Sequence, residues 1–260
     1  MLAPGRMPCG RGVPGGYRSQ VAHNGMAFNP LAPDGPVLDA LEASLSPERF
    51  ATYLAATGGD RAEALRLYTW NTALSAAFYG PLQGLEVAVR NAMHLELSAR
   101  YGPAWYDNPQ AGLDAGALDR VRAGKDELRR GRYVVDTPHL VAALPFGFWV
   151  SLLGRGGRGP IPGTPKRDYD MTLWRPALHR AFPAARLRRT DAHSRLDYLR
   201  TFRNRIAHHE PIFSRHLTAD HDSILLVTGW ISVAARDWIA HHSRVPGLLG
   251  MPRDAAAASF

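Results

Sequence analysis

The sequence predicts an all-α fold, a bundle of helices within one domain. From residue 37 onward, apolar side chains recur at spacings of three and four, which is the period of an amphipathic helix. Alternating strand-like runs bounded by tight hairpin turns are scarce. A chain of 260 residues can bury a substantial core, and this length fits one domain or two small ones, of which we favour one.

Capping residues predict where the first helices begin. Ser46 precedes a proline and is predicted to cap a short helix that ends near Gly58. Asp60 is predicted to cap the next helix, over residues 61–79. The Gly80-Pro81 pair is expected to interrupt this helix, because proline lacks the amide that an interior helical position donates.

A further long helix is predicted over residues 82–101. Three of its polar side chains follow one another at four-residue spacing, namely Glu86, Arg90 and His94. Later helices are predicted over residues 113–130, 173–182 and 219–242, with a broken helix over 138–153 and a loop over 154–167. Trp238 in the last helix is expected to face inward. Five other aromatic residues have apolar neighbours and are predicted to lie in the core, namely Trp70, Trp105, Phe146, Phe148 and Trp149.

The two ends of the chain are predicted to lie outside the folded domain. Residues 1–36 are rich in glycine and proline and are predicted to form a disordered leader, in which Met26 is an alternative start. The predicted domain covers residues 37–243, and residues 244–260 are predicted to form a flexible tail. Cys9 is the single cysteine, so an intrachain disulfide is excluded and a cytoplasmic location is expected.

The net charge favours a polyanionic partner. The chain carries 31 Lys+Arg against 23 Asp+Glu, which gives a formal net charge of +8. RNA, DNA and an anionic membrane surface all fit this charge. The longest apolar runs are too short to span a bilayer, so we expect no integral membrane segment.

One short stretch concentrates the groups that phosphodiester chemistry requires. Arg203 carries a planar, always-charged guanidinium that can neutralise a phosphate, and His208 can exchange a proton near neutral pH. Asn204 can orient either side chain. These residues together supply two requirements for cleaving RNA without a metal ion.

The stretch that contains Arg203 and His208 is predicted to be helical, and the spacing within it leaves a geometric question open. Pro211 biases the preceding residue away from helical geometry, so His208 lies near the helix end, where the helix dipole favours a cationic imidazole. Arg203 and His208 are about 140° apart around an ideal helix. The two side chains can contact one phosphate if the helix end loosens or if the arginine reaches across. They can also do so if a second copy of the chain faces the first. We therefore expect a homodimer.

Five sequence blocks carry a resemblance to a known family. They are RFATY from Arg49, LYTWN from Leu67, LEVAVRN from Leu85, FGFW from Phe146 and RNRIAHHEP from Arg203. Over roughly residues 50–238 the chain resembles the Abi-like (abortive-infection) proteins of bacteria, within the HEPN superfamily of α-helical ribonucleases and nucleic-acid-associated domains. The last block is the most specific of the five.

The resemblance implies a HEPN-like helical bundle with additional helices and a catalytic set of Arg203, Asn204 and His208, with His209 as the rival histidine. It also implies metal-independent RNA cleavage without a cofactor. The RNA 2′-hydroxyl attacks the adjacent phosphorus, histidine moves protons and arginine stabilises the phosphorane charge. The expected products are a cyclic phosphate and a free 5′-hydroxyl. A toxin or abortive-infection effector would act in this way, with an antitoxin or a phage-derived trigger as a further partner.

An upstream block resembles the motif but has one spacer fewer. In a functional interpretation, Arg90, Asn91 and His94 form a supporting half of the cleft. In a structural interpretation, which the spacing favours, Glu86 and Arg90 form an ion pair and His94 is an ordinary, partly buried residue.

The motif itself also has structural alternatives. Arg203 can pin a helix, and His208 can cap the helix end and pair with Glu210. Arg200 and Arg205 either contact RNA phosphates or are solvated. A non-catalytic module that binds RNA or protein is therefore the alternative function, and a purely structural helical protein is a third. The histidine spacings match no standard zinc pattern, so no metal site is predicted.

Overall fold

The computed structural model describes residues 35–252, and within this range the chain contains helices and turns but no β-strand. The prediction of an all-α fold is therefore confirmed for this part of the chain. Cys9, Met26 and nearly all of the predicted leader lie outside the described residues, as does the end of the predicted tail from residue 253.

Ten α-helices are described between residues 35 and 252. They are α1 (Gly35–Leu45), α2 (Pro47–Ala56), α3 (Arg61–Tyr101), α4 (Ala115–Arg130), α5 (Thr137–Ala143), α6 (Phe146–Ser151), α7 (Arg189–Ala207), α8 (Leu217–Ile231), α9 (Val233–His242) and α10 (Val245–Leu249). Short 3₁₀ turns lie at Trp105–Asp107, Pro109–Ala111 and Leu178–Ala181, and a single π turn lies at Asp170–Trp174.

Helix α3 forms the centre of the bundle. It has 41 residues, which corresponds to a length of about 60 Å. It contacts α2 and each helix from α6 to α10. Its fully buried side chains include Leu74, Phe78, Leu85, Val89, Met93 and Leu97. Because most of the other long helices pack on α3, this helix positions their side chains relative to one another.

The predicted interruption at Gly80-Pro81 is wrong, because α3 continues through both residues. A residue before proline usually avoids helical geometry, since its Cβ meets the proline ring. Gly80 has no Cβ and so removes this conflict. Pro81 is buried, and its packing contributes apolar burial that offsets the missing hydrogen bond.

The predicted closing helix over residues 219–242 is divided into α8 and α9. The Ser232 hydroxyl accepts a hydrogen bond from the amide of Ala235 at 3.2 Å and so caps α9. Trp238, which was expected to face inward, is 62% exposed. Ile239 takes the buried position instead, because the break at Ser232 resets which face of the helix meets the core.

Three other boundaries differ from the sequence prediction. The helix predicted over residues 173–182 is replaced by the π turn and a 3₁₀ turn on either side of Pro176. The predicted leader ends too late, because α1 begins at Gly35. The predicted tail begins too early, because α10 buries Val245 and Leu248 and contacts α3 and α8.

The caps predicted at Ser46 and Asp60 and the predicted aromatic core are confirmed. Ser46 caps α2, and the Asp60 carboxylate accepts a hydrogen bond from the amide of Glu63 at 2.9 Å at the start of α3. The five aromatic residues predicted for the core are all buried, namely Trp70, Trp105, Phe146, Phe148 and Trp149. The ring of Phe202 on α7 packs edge-to-face against Phe78 on α3, with centroids 4.9 Å apart. This contact fixes how α7 lies on the central helix.

None of the described helices has both the length and the apolar character needed to cross a membrane.

Candidate functional site

A groove of about 880 Å³ lies between the middle of α3 and the C-terminal end of α7. One wall is formed by α3 residues from Thr72 to Arg90, and the other by α7 and the turn that follows it. We call this the α3–α7 groove. Four of its lining residues are charged residues or histidine, namely Glu86, Arg90, Arg203 and His209.

The end of α7 explains why one of the two adjacent histidines reaches the groove. His208 is the C-terminal cap of α7, with φ −91°. His209 has φ 56°, a left-handed conformation that is uncommon for residues other than glycine. The amide of Glu210 then donates to the carbonyl of Arg205 at 2.8 Å. This turn places His209 in the groove lining and leaves His208 exposed outside that lining.

Two residues from other helices hold this turn in place. The Arg49 guanidinium on α2 donates to the carbonyl of His209 at 2.6 Å. The Asn71 side-chain oxygen on α3 accepts hydrogen bonds from the amides of Ile212 at 2.8 Å and Phe213 at 3.1 Å. Asn71 is 5% exposed, so these bonds are largely shielded from water. Both residues stand in the sequence blocks that begin at Arg49 and Leu67, which was the only sequence signal for them.

The charged side chains in the groove are arranged around Arg203. Its Nε lies 3.5 Å from Oε2 of Glu86, with side chains 41% and 23% exposed respectively. Within residues 35–252, Glu86 forms its ion pair with Arg203 and not with Arg90, so the structural interpretation of the Glu86-Arg90 spacing is wrong. The Arg90 Nε is buried and has no hydrogen-bond partner among the described residues. A buried donor without a partner calls for an explanation, and an absent ligand or water molecule is one such explanation.

The other members of the upstream block lie away from the groove. His94 Nδ1 accepts a hydrogen bond from the indole nitrogen of Trp105 at 3.0 Å, which joins α3 to the turn that follows it. Burial lowers the pKa of His94 and so favours the neutral imidazole that can accept this bond. Asn91 is exposed and does not line the groove. Arg90 is therefore the only one of the three that the structure places in the groove.

The remaining residues of the predicted site do not line the groove. Arg200 pairs with Asp197 at 2.8 Å, and Arg205 pairs with Glu210 at 3.1 Å. Because Arg205 engages Glu210, the alternative in which Glu210 pairs with His208 is not formed. Asn204 is half-buried on α7 and does not line the groove.

Two other histidines of the C-terminal third, His216 and His221, have local structural roles. His216 Nδ1 accepts a hydrogen bond from the amide of Ala219 at 3.1 Å and so caps α8. His221 Nε2 lies 2.8 Å from the Ser243 hydroxyl, and burial lowers the pKa of His221. Across residues 35–252, no group of three or more His, Cys, Asp or Glu side chains is placed to hold a metal ion.

Comparison with known proteins identified no relative of this chain. No family model matches the chain, no curated protein matches its sequence and no solved structure matches its fold. The residues of the α3–α7 groove and the sequence blocks that reach it are therefore the basis for assigning a function.

Proposed function

We propose that this protein is a metal-independent endoribonuclease of the HEPN type that acts as a toxin or abortive-infection effector, and that the α3–α7 groove holds the RNA phosphodiester. The observation that supports this most directly is the convergence of Arg90, Arg203 and His209 in one groove. These side chains come from two helices and one turn.

Two guanidinium groups give the groove its capacity for phosphate. Arg203 is 41% exposed and can rotate its planar donors toward an incoming phosphate. Arg90 has an unsatisfied Nε on the opposite wall. A phosphate between them would supply acceptors to both groups and would gain charge stabilisation as the phosphorane forms.

The imidazole supplies the proton transfer that the reaction needs. The 2′-hydroxyl of RNA attacks the adjacent phosphorus, and the 5′-oxygen leaves as an alcohol once it receives a proton. The sequence motif assigns this role to His208, with His209 as the rival, and the groove lining favours His209. One chain therefore carries both the arginine and the histidine of the proposed site, and the expected homodimer remains a prediction.

A non-catalytic module that binds RNA or protein is the second candidate function. It is favoured by the ion pair between Glu86 and Arg203, because an arginine held by a carboxylate in the free protein is less available to stabilise a phosphorane. In this alternative the groove would still bind a phosphate or a carboxylate of a partner, but no bond would be broken.

The experiment is to incubate the purified protein in EDTA with total RNA and with a labelled oligonucleotide. We expect cleavage to products with cyclic phosphate and 5′-hydroxyl ends. Arg203→Ala should lower the rate by roughly 100-fold or more, which is typical when one transition-state donor is lost. Arg195→Ala is the matched control, because Arg195 is exposed on the same helix and does not line the groove.

The outcomes separate the candidate functions. Full activity of Arg195→Ala beside an inactive, folded Arg203→Ala would support the nuclease. Wild-type protein that binds RNA but yields no product would support the binding module. Wild-type protein that neither binds nor cleaves RNA would contradict the nuclease and an RNA-binding module, and would leave a protein-binding module as the candidate.

A further inference from the structure

Glu86 is the charged side chain of the α3–α7 groove whose presence a phosphate-binding role does not explain. It lies on α3 one helical turn before Arg90, and among residues 35–252 it is the only carboxylate in the groove lining. A carboxylate repels an RNA phosphate, so its position in this groove weakens binding unless it serves the reaction.

Structural stabilisation does not account for Glu86 either. Its contact with Arg203 Nε is 3.5 Å long, whereas strong charge-assisted hydrogen bonds measure about 2.7–2.9 Å. Arg203 is 41% exposed, and exposed ion pairs of this kind contribute about 0–1 kcal/mol. The contact is therefore loose enough for Arg203 to engage a phosphate while Glu86 remains beside it.

The residues that line the groove include a carboxylate on one wall and an imidazole on the other. Glu86 lies on α3, and His209 lies in the turn after α7, with Arg203 paired to Glu86. The other charged or titratable groups that line the groove are Arg90 and Tyr79, both on α3. Transfer of a phosphoryl group to a 2′-hydroxyl needs two proton transfers, one from the attacking oxygen and one to the leaving oxygen.

We propose that Glu86 is the general base of the cleavage and His209 the general acid, an assignment that rests on the proposed function. The 2′-oxygen forms a bond to phosphorus while its proton moves to the Glu86 carboxylate. The bond between phosphorus and the 5′-oxygen breaks while the His209 imidazolium gives its proton to that oxygen. The products are a 2′,3′-cyclic phosphate, a 5′-hydroxyl, a protonated Glu86 and a neutral His209, so atoms and charge balance without a metal ion or a redox step.

The first test compares the pH dependence of cleavage in wild-type protein and Glu86→Gln. General base catalysis contributes about 10²–10⁴-fold, so Glu86→Gln should lower kcat by at least roughly 100-fold and leave RNA affinity equal or tighter. The acidic limb of the kcat/KM profile should disappear. Glu86→Asp should retain this limb at a lower rate, and Glu63→Gln, at an exposed position of α3 outside the groove lining, should retain wild-type kinetics.

The second test separates the base from the acid. An oligonucleotide in which sulfur replaces the bridging 5′-oxygen has a leaving group that needs no proton. This substrate should restore much of the rate of His209→Asn, because the variant lacks only the acid. It should not restore Glu86→Gln, because the 2′-hydroxyl must still lose its proton.

Several results would overturn the assignment. If Glu86→Gln cleaves at the wild-type rate with an unchanged acidic limb while Arg203→Ala is inactive, Glu86 is not the base and the nuclease proposal stands. If the sulfur substrate restores Glu86→Gln but not His209→Asn, the two roles are exchanged. If Glu86→Gln loses thermal stability and RNA binding together, Glu86 is structural. If wild-type protein cleaves no RNA, both proposals fail.

Discussion

Two neighbouring histidines have different backbone conformations, and the difference decides which one can act in the groove. His208 is in a common conformation at φ −91°, whereas His209 is left-handed at φ 56°. Asparagine tolerates the left-handed region better than most residues do. Replacement by asparagine therefore removes the imidazole at either position with little backbone cost.

We expect His209→Asn to lower the cleavage rate by roughly 100-fold or more, as is typical for loss of a general acid. His208→Asn is the matched variant and should retain most of the activity, because His208 does not line the groove. The measurement is single-turnover cleavage of a labelled oligonucleotide by both variants, with circular dichroism as a check on folding. An inactive His208→Asn beside an active His209→Asn would instead support the motif spacing that assigns the role to His208.

The same residues show what sequence can and cannot predict about the site. Arg203 was identified from its chemistry and from the motif around it, and both are local properties of the sequence. Glu86 and Arg90 could be placed on one face of a helix by their spacing. The partner of Glu86 could not be predicted, because Glu86 pairs with Arg203, which is distant in the chain.

At the level of elements, Asn71 connects the central helix to the chain that follows α7. Its side-chain oxygen accepts two backbone hydrogen bonds, from Ile212 and Phe213, at a position with almost no solvent access. Loss of this acceptor leaves two amide donors without a partner close to the turn that holds His209.

We expect Asn71→Ala to lower the free energy of unfolding by about 1–3 kcal/mol for each amide left unsatisfied. Cleavage should fall as well, because the turn that positions His209 loses one of its two restraints. Asn91→Ala is the matched control on the same helix, since Asn91 is exposed, and it should leave stability within about 0.5 kcal/mol. The measurements are urea denaturation and single-turnover cleavage. Equal stability of the two variants would show that the hydrogen bonds of Asn71 to Ile212 and Phe213 do not stabilise the fold.

Helix boundaries were predicted correctly where the signal was local. The predictions were wrong where tertiary packing determined the boundary. Ser46 and Asp60 cap their helices as their side chains predict, because a cap needs only the next three residues. Gly80-Pro81 failed as a break, since burial of Pro81 in the bundle outweighs the lost hydrogen bond. Trp238 failed as a core residue, because a break at Ser232 changes the register of every position after it.

At the level of the whole molecule, two histidines couple stability to pH, of which His94 is half-buried and His221 is buried. Burial lowers the pKa of His94 and of His221 below the ordinary value of 6.5. His94 and His221 are on α3 and α8 respectively, and each joins its helix to a neighbouring segment through a hydrogen bond of its ring.

We expect the free energy of unfolding to be roughly constant above the ordinary histidine pKa and to fall as the solution becomes more acidic than that value. The unfolded chain then binds protons that the folded chain resists, so acid favours unfolding. The measurement is the melting temperature between about pH 8 and about pH 5. His94→Gln should flatten this dependence, whereas His241→Gln, at an exposed position on α9, should not. An identical slope in both variants would contradict the role of His94.

The continuity of α3 has a consequence for how the chain can change in length. Asn71 and Glu86 stand on one uninterrupted helix, so the rise per residue fixes their separation along its axis at about 22 Å. One residue gained or lost between them would turn Glu86 by about 100° around the helix axis and away from the groove. In descendants of this chain, insertions and deletions are therefore compatible with the groove in the loops that flank α3, while the segment between these two residues must keep its length.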